Sequence, residues 1–444
     1  MKILLVNPPN CGRSIPEEEY GITSLRRIFK GEPFNLEVLA GPLTEHEVLI
    51  FDGKCETEDS FWKTFDEFAP DLVGFTALTC EVGAVIRCAA EIRKKSRAAI
   101  VVGGNHASCQ PQDFNRPEFD YIVVGLGKKS FLQLVDGLSG KENPDGISGI
   151  ARTTPGKRLS FTPRRFGRQD VGEEVAPRYD LVAKYRKHYY LEQLGLSMGF
   201  VITAYGCTHS CSFCTIPKVT GGKYLTYGAD AVLRDISLLG DIPFLRMVDA
   251  NTFGQPRQSL TLCRKILKAD LKKSFFADVR ADTIVRHPEL LKSWKEAGLY
   301  AVVVGFEDIQ NERLQAYNKQ YQEDVVFRAI EILHELGIVI VGDFIVSPEY
   351  VEKDFRQLES FILRQKIQIP VLSILTPMPG TKLYEQRKKD IVLFDLDYYT
   401  FTNAVTKTKM PEAGFYQTYA DLVQRLHEKP HTPDRKRESM GVQG

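Results

Sequence analysis

Short apolar, β-branched runs recur along this chain, and each is followed by a stretch whose apolar positions repeat at helical spacing. Strand candidates in the first 140 residues are Lys2–Asn7, Glu47–Phe51, Leu72–Thr76, Ala98–Val102 and Tyr121–Val124. Between the third and fourth, Val82–Lys95 puts Val82, Val85, Ile86, Ala89 and Ile92 on one helix face. Strand–helix alternation of this kind predicts a parallel sheet wound with helices. The alternation breaks over 141–195, rich in Gly, Pro and charge, which reads as a linker with one helix near Tyr179–Leu194. It resumes with Gly199–Ala204, Phe244–Asp249, Ser274–Val279, Ala301–Phe306, Val339–Val346 and Val371–Thr376. Six such units in roughly 190 residues predict a partial (β/α)6 barrel, since a full eight-unit barrel takes about 250. The expectation is an α/β chain. A doubly wound, Rossmann-like parallel-sheet domain spans 1–140, a linker 141–195, the partial barrel 196–390, and a helical region with a flexible tail 391–444. In that last region Gly414–Glu428 reads as a helix and Lys429–Gly444 as disordered.

Composition narrows the class. A net charge of +1 argues against a nucleic-acid or membrane-surface partner. No apolar run reaches the roughly 18 residues of a membrane span. Met1-Lys2-Ile3-Leu4-Leu5-Val6 opens on a strand rather than a signal peptide. Nine cysteines, an odd number with three clustered, suit a reducing compartment better than a disulfide framework. A cytoplasmic protein is expected.

The clustered cysteines carry the chemistry. Cys207, Cys211 and Cys214 follow a Cys-x3-Cys-x2-Cys spacing, with Phe213 before the last. Three close thiolates can hold three irons of a cubane 4Fe-4S cluster and leave the fourth iron open, where such clusters usually take four cysteines. A zinc site would want a fourth Cys or His at matching spacing, and only His209, inside the loop, is near. The loop also follows the first barrel strand, on the face where βα loops gather. It resembles the cluster loop of the radical S-adenosylmethionine (SAM) enzymes. That resemblance implies that SAM fills the open iron site and is cleaved to a 5′-deoxyadenosyl radical.

The strand ends of the first sheet are equally specific. Thr76-Ala77-Leu78 ends the third strand, Gly103-Gly104-Asn105-His106-Ala107 the fourth, and Val123-Val124-Gly125-Leu126-Gly127 the fifth. Paired glycines admit a bulky ligand close to the backbone. In this order the series resembles the cobalamin-binding domain that precedes many radical SAM barrels. The resemblance makes Thr76, Leu78, Gly103, Gly104 and Gly125 candidates for the cofactor's slot. The cobalt-ligating Asp-x-His of the classical module is replaced by Asn7-Pro8-Pro9-Asn10-Cys11-Gly12. His106 and His46 read as polar loop residues, not ligands. Cys11, Cys55 and Cys80 are spaced loosely like the second-cluster cysteines of methylthiotransferases, which keeps that alternative open. The plainest reading of these three is small hydrophobes.

The chain as a whole is similar to the cobalamin-binding radical SAM family. The resemblance implies a C-methyltransferase: a 5′-deoxyadenosyl radical takes a hydrogen atom and methylcobalamin delivers a methyl group to an unactivated carbon. Phe213 and Pro217 would flank the adenine. Asp249 and Asn251, after the second barrel strand, Arg280 after the third, and Glu307 in Gly305-Phe306-Glu307 after the fourth would contact SAM. A structural ion pair across the barrel mouth is the alternative for these charged groups. A low-potential donor, flavodoxin or ferredoxin, is implied. The short C-terminal region suggests an open mouth and a peptide or protein substrate. Non-methylating radical chemistry (ring contraction or cyclisation) and a non-catalytic cobalamin-binding protein remain as alternatives.

Overall fold

The structure is a computed structural model; it describes residues 1–25, 31–141, 143–144, 146–191 and 196–428. The tail expected to be disordered, Lys429–Gly444, lies outside the described residues, as does the end of the expected linker helix.

Two sheets organise the chain. In the first, β1 (Lys2–Asn7), β2 (Glu47–Asp52), β3 (Leu72–Thr76), β4 (Ala99–Gly103) and β5 (Tyr121–Val123) run parallel in the order β2-β1-β3-β4-β5. Their near-continuous apolar runs reflect helices on both faces. Val82, Val85, Ala89 and Ile92 of helix Val82–Lys95 are buried, whereas Ile86 is partly exposed. The strand order reverses between β1 and β3, so the ligand crevice of such a sheet lies at their carboxyl ends. A sixth strand, β6 (Ile150–Arg152), pairs antiparallel with β5 and comes from the segment read as linker.

The linker helix is also different from expectation. Tyr179–His188 winds as a 3-10 helix. Its buried positions, Tyr179, Val182 and Tyr185, fall at every third residue, the 3-10 repeat. These rings join the two halves. One apolar core runs from Ile3 and Leu5 of β1, through Tyr179, Val182, Tyr185 and Tyr189, to Met198 and Phe200 of the barrel.

The second sheet begins with β7 (Tyr190–Leu191), antiparallel to β8 (Leu196–Val201). A two-strand ladder, β9 (Ala204–Tyr205) with β10 (Leu225–Thr226), brackets the cysteine loop. Then β11 (Phe244–Met247), β12 (Ser274–Val279), β13 (Leu299–Glu307), β14 (Val339–Val346) and β15 (Ile369–Ile374) extend β8 in sequence order, all parallel. Six parallel strands make the partial barrel that the alternation predicts. Beyond β15 a strap returns to the first domain. The Ile374 amide donates to the Phe401 carbonyl, while fully buried Asn403 donates to the Arg13 carbonyl and accepts from the Ile15 amide at 2.8 Å each. No helix among the described residues is long and apolar enough to cross a membrane.

Beside Arg186 of the 3-10 segment lies a buried acidic pair, Glu32 and Glu37, with Arg186 Nη1 2.6 Å from Glu32. Burial pushes both carboxyls above the ordinary 4.5, and for Glu37 the Glu32 charge adds to the rise. The folded state therefore keeps protons that the unfolded chain releases, so stability falls as pH rises through and above the ordinary carboxylate value. Wild-type protein should have a lower urea midpoint at about pH 8 than at about pH 5, and Glu37→Gln should flatten that slope.

Candidate functional site

The cysteine loop is built on close backbone approach. Gly206 has φ +85°, and a Cβ there would lie 2.0 Å from the Lys223 carbonyl oxygen, so only glycine closes the β9–β10 bracket beneath Cys207. Buried Asp249, after β11, accepts from the Thr203 amide at 2.7 Å, the Thr203 hydroxyl at 2.5 Å and the Ala204 amide at 2.9 Å. Burial pushes its carboxyl up to about 6 against the pull of these bonds. Both oxygens of Asp249 are thus engaged in anchoring the entry to the loop. From the far side, the Ser212 amide donates to the Tyr317 carbonyl, Asn318 Nδ2 to the Ser210 carbonyl, and the Leu383 amide to the Ser212 carbonyl.

Cys207, Cys211 and Cys214 are half-buried on this scaffold. Asn251 Nδ2 lies 3.9 Å from Cys207 Sγ, and Arg280 Nη1 lies 3.8 Å from Cys211 Sγ. Burial pushes the Cys214 thiol up to about 12, the Ile216 amide opposing and the neighbouring cysteines adding to the rise. Three sulfurs on one loop, two of them met by side-chain N–H donors and the third by a backbone amide, fit a cluster of several irons. Among the described residues no three His, Cys, Asp or Glu side chains stand close enough for a single metal ion. Phe213 stands edge-on to Tyr317 at 5.8 Å, and Pro217 opens helix Ile216–Thr220.

Buried Asn251 is held by Tyr224, whose hydroxyl donates to the Asn251 carbonyl at 2.8 Å; its own Oδ1 has no partner. That orphaned acceptor beside the cysteines fits an amino group such as SAM carries. Glu307 ends β13 with φ +67°, a strained value for a non-glycine residue, and a Cβ on Gly305 would lie 2.4 Å from its Oε1. The Gly-x-Glu step therefore clears space for the carboxylate. Glu307 Oε1 pairs with buried Lys319 Nζ at 2.9 Å. Burial works against the Lys319 charge, but Glu307, Tyr321 and Cys211 together outweigh it, and the ammonium lies above its ordinary pKa. Neither Lys319 nor Tyr224 shows a signal in the sequence; Asn318-Lys319-Gln320 reads as an exposed polar turn. Removing one partner of a buried pair costs about 3–5 kcal/mol. Glu307→Ala should lower unfolding free energy by about that much, and Glu307→Ala/Lys319→Met should recover most of it in the same denaturant titration.

In the first domain, Thr76 Oγ1 accepts from Asn35 Nδ2 at 2.8 Å and Leu78 stands 48% exposed at the β3 end. Gly104 has φ +96°, and a Cβ there would lie 2.6 Å from Thr76 Oγ1. Gly104 thus lets the β4 end pack directly on Thr76 and the Ala77 backbone, with Leu78 exposed beside it, a strand-end platform that suits a bulky planar cofactor. Gly125 stands at the same end: its amide donates to Ser108 Oγ at 2.9 Å, which in turn donates to the Gly104 carbonyl at 2.7 Å, and a Cβ on Gly125 would lie 2.4 Å from the Phe166 ring. His106 is not a loop residue. It is fully buried, with Nδ1 3.1 Å from Thr79 Oγ1 and Nε2 2.9 Å from Asp113 Oδ2. His46 precedes β2, at the opposite end of the sheet. Cys11 Sγ donates to the Cys80 carbonyl and Cys55 Sγ to Asp52 Oδ2.

The two halves meet where these features end. Asn105 Nδ2, next to Gly104, donates to Thr215 Oγ1, next to Cys214, at 3.0 Å. A Cβ on Gly380, in the loop after β15, would lie 2.7 Å from the Cys109 carbonyl of the same first-domain helix.

Comparison with known proteins agrees with this architecture. The family model described as B12 binding domain matches residues 25–135, and that of the Radical SAM superfamily matches residues 201–362. The chain thus joins a B12 binding domain to a radical SAM domain and is homologous to cobalamin-dependent radical SAM methylases. Its domains imply a 4Fe-4S cluster, SAM and cobalamin. It is 26% identical over 406 residues to the hopanoid C-3 methylase of Methylococcus capsulatus, covering 90% of this chain and 77% of that protein. It is 28% identical over 425 residues to an uncharacterized methyltransferase of Pyrococcus horikoshii, covering 92% and 88%. The radical SAM methyltransferase TsrM from Kitasatospora setae, solved with cobalamin and a [4Fe-4S] cluster, superposes with a TM-score of 0.71 at 19% identity, over 94% of this chain and 85% of that one. A B12 binding domain over Cys55 and Cys80 sets the two-cluster methylthiotransferase reading aside.

Proposed function

We propose that this protein is a cobalamin-dependent radical SAM C-methyltransferase acting on an unactivated carbon. The Asn105–Thr215 hydrogen bond carries the reading, because it fixes the strand-end platform of one domain against the cysteine loop of the other. Together the bound groups would supply a hydrogen-abstracting radical and a methyl donor, hard chemistry that belongs to cofactors while the protein positions them. Cys207, Cys211 and Cys214 hold the cluster. Asn251 offers its free Oδ1, and Glu307 its remaining lone pairs, to SAM, with Phe213 and Pro217 beside the adenine. Thr76, Leu78, Gly103 and Gly104 line the cobalamin slot. An external low-potential donor, a flavodoxin or ferredoxin, supplies electrons, and the protein works in the cytoplasm.

The substrate reading shifts from a peptide toward a large apolar carbon skeleton. The peptide expectation rested on a short C-terminal region leaving the mouth open, whereas that region runs as a strap, anchored by Asn403, from the barrel edge to the first domain. The named relatives include methylases of hopanoids and of bacteriochlorophyllide d. A second reading, cyclisation without methyl transfer, draws support from the anaerobic magnesium-protoporphyrin IX monomethyl ester cyclase of Rubrivivax gelatinosus, 26% identical over 373 residues. Reconstituted protein supplied with reductant, cobalamin, a lipid extract and SAM deuterated in its methyl group decides between them. The methyltransferase reading expects deuterated methyl in a lipid-soluble product and 5′-deoxyadenosine alongside it. Deuterium in peptides restores the peptide substrate, and a product lighter by hydrogen with no label favours cyclisation.

A further inference from the structure

We infer that Arg280 and Asn251 are positioning residues that raise the electron affinity of the cluster, by donating N–H groups to the sulfurs of Cys211 and Cys207. The inference rests on the cluster reading above and gives Arg280 a task other than binding the SAM carboxylate.

The geometry commits the guanidinium. Arg280 follows β12 and is 6% exposed. Its Nε donates to Asp282 Oδ1 at 2.8 Å, its Nη2 to the Lys319 carbonyl at 2.7 Å, and its Nη1 reaches Cys211 Sγ at 3.8 Å. The Tyr321 ring lies 5.4 Å from its centre. Asp282 is itself clamped by Arg286. Turning the fork toward another ligand would break two charge-assisted or buried bonds, each costly to leave unmade. Asn251 is fixed in a similar way: Tyr224 holds its carbonyl, and its Nδ2 has Cys207 Sγ at 3.9 Å and Thr208 Oγ1 at 3.4 Å. Cys214 is met instead by a backbone donor, the Ile216 amide.

Hydrogen bonds to the sulfurs and nearby charge are levers that set the potential of an iron–sulfur centre. Adding one electron adds one negative charge. A cation fixed against a sulfur in a buried site stabilises that charge more than it would in water. The step itself is one-electron: an external low-potential donor is oxidised, the cluster is reduced, and no bond forms or breaks. Arg280 therefore makes the cluster easier to reduce, and it does so before SAM or substrate is present.

The test uses full-length protein reconstituted with iron and sulfide, without SAM or substrate. The midpoint potential is read by paramagnetic resonance during a redox titration. In Arg280→Gln, at a fixed solution potential, the reduced-to-oxidised ratio should fall about tenfold, which for one electron is about 59 mV. Arg280→Lys should lie between it and wild type. Asn251→Ala should shift the same way by less, and iron content should match wild type in all three. Exchangeable-proton couplings at the reduced cluster should weaken in Arg280→Gln. If Arg280→Gln does not fold, Asn251→Ala decides alone. Unmoved potentials at full iron content overturn the inference, and an unmoved potential with weakened SAM binding hands Arg280 back to the SAM carboxylate. Wild-type protein that binds no cluster overturns the cluster reading and this inference with it.

Discussion

Cys214→Ala should abolish cluster absorbance and SAM cleavage together in reconstituted full-length protein, while wild type should carry about four irons per chain, the content of one cubane. The effect is complete because the loop has no substitute ligand. His209, the one histidine inside it, turns Nδ1 to Thr208 Oγ1 at 2.9 Å and Nε2 toward Asp282. Cys214 is also the residue from which the loop enters helix Ile216–Thr220, and its neighbour Thr215 carries the hydrogen bond to the first domain. The fold should survive the change. Alanine keeps the backbone, and the loop is held by Asp249, Asn318 and Leu383 rather than by metal. Circular dichroism and urea midpoint near those of the apo wild type would establish that the loss is one of ligation. SAM cleavage that persists in Cys214→Ala would remove the cysteine loop from the chemistry.

That loop was legible from sequence because ligand spacing within one turn of chain needs no tertiary information. The parallel strands were legible for a related reason. A strand buried on both faces shows an unbroken apolar run, and Leu72–Thr76, Ser274–Val279 and Val339–Val346 have the bounds that the runs predict. What stayed hidden depends on contacts between distant segments. Lys319 sits in a polar turn that looks exposed, and only the fold brings it under Glu307. Asn403 is one polar residue among several, yet its amide ties residues 388 and more positions away. Arg280 was recognised as a strand-end cation, but the direction of its fork depends on the Lys319 carbonyl, which no local pattern announces. The 3-10 run at Tyr179–His188 shows the same limit. Its three-residue repeat is too short to separate from a helical one until packing selects the buried ring positions.

Cobalamin should bind beside Gly104 without a histidine ligand, and Gly104→Val should abolish that binding. The Co(II) paramagnetic resonance spectrum of the wild-type complex should lack nitrogen superhyperfine splitting. The reason is the inventory of imidazoles. His106 is the one nearest the platform in sequence, but it packs edge-on to Phe114 at 5.7 Å with both ring nitrogens engaged. Freeing it would leave Asp113 and Thr79 without partners and open a hole in the core. His46 sits next to the amino terminus, 3.3 Å from Met1 N, at the wrong end of the sheet. The loop after β1 offers Asn7, Pro8, Pro9 and Asn10, and Asn7 donates its amide to Asp52. A cobalt without a strong lower ligand suits transfer of its methyl group to a carbon radical. Gly104→Val adds two steric faults at once: a β-branched side chain at φ +96°, and a Cβ 2.6 Å from Thr76 Oγ1. Iron content and SAM cleavage should persist in that variant, because the cysteine loop keeps its own anchors on the barrel side. A nitrogen triplet in wild type that disappears in His106→Ala would overturn the histidine-free assignment. A wild-type chain that takes up no cobalamin would remove the methyltransferase reading as well, since the methyl donor would then have no place to sit.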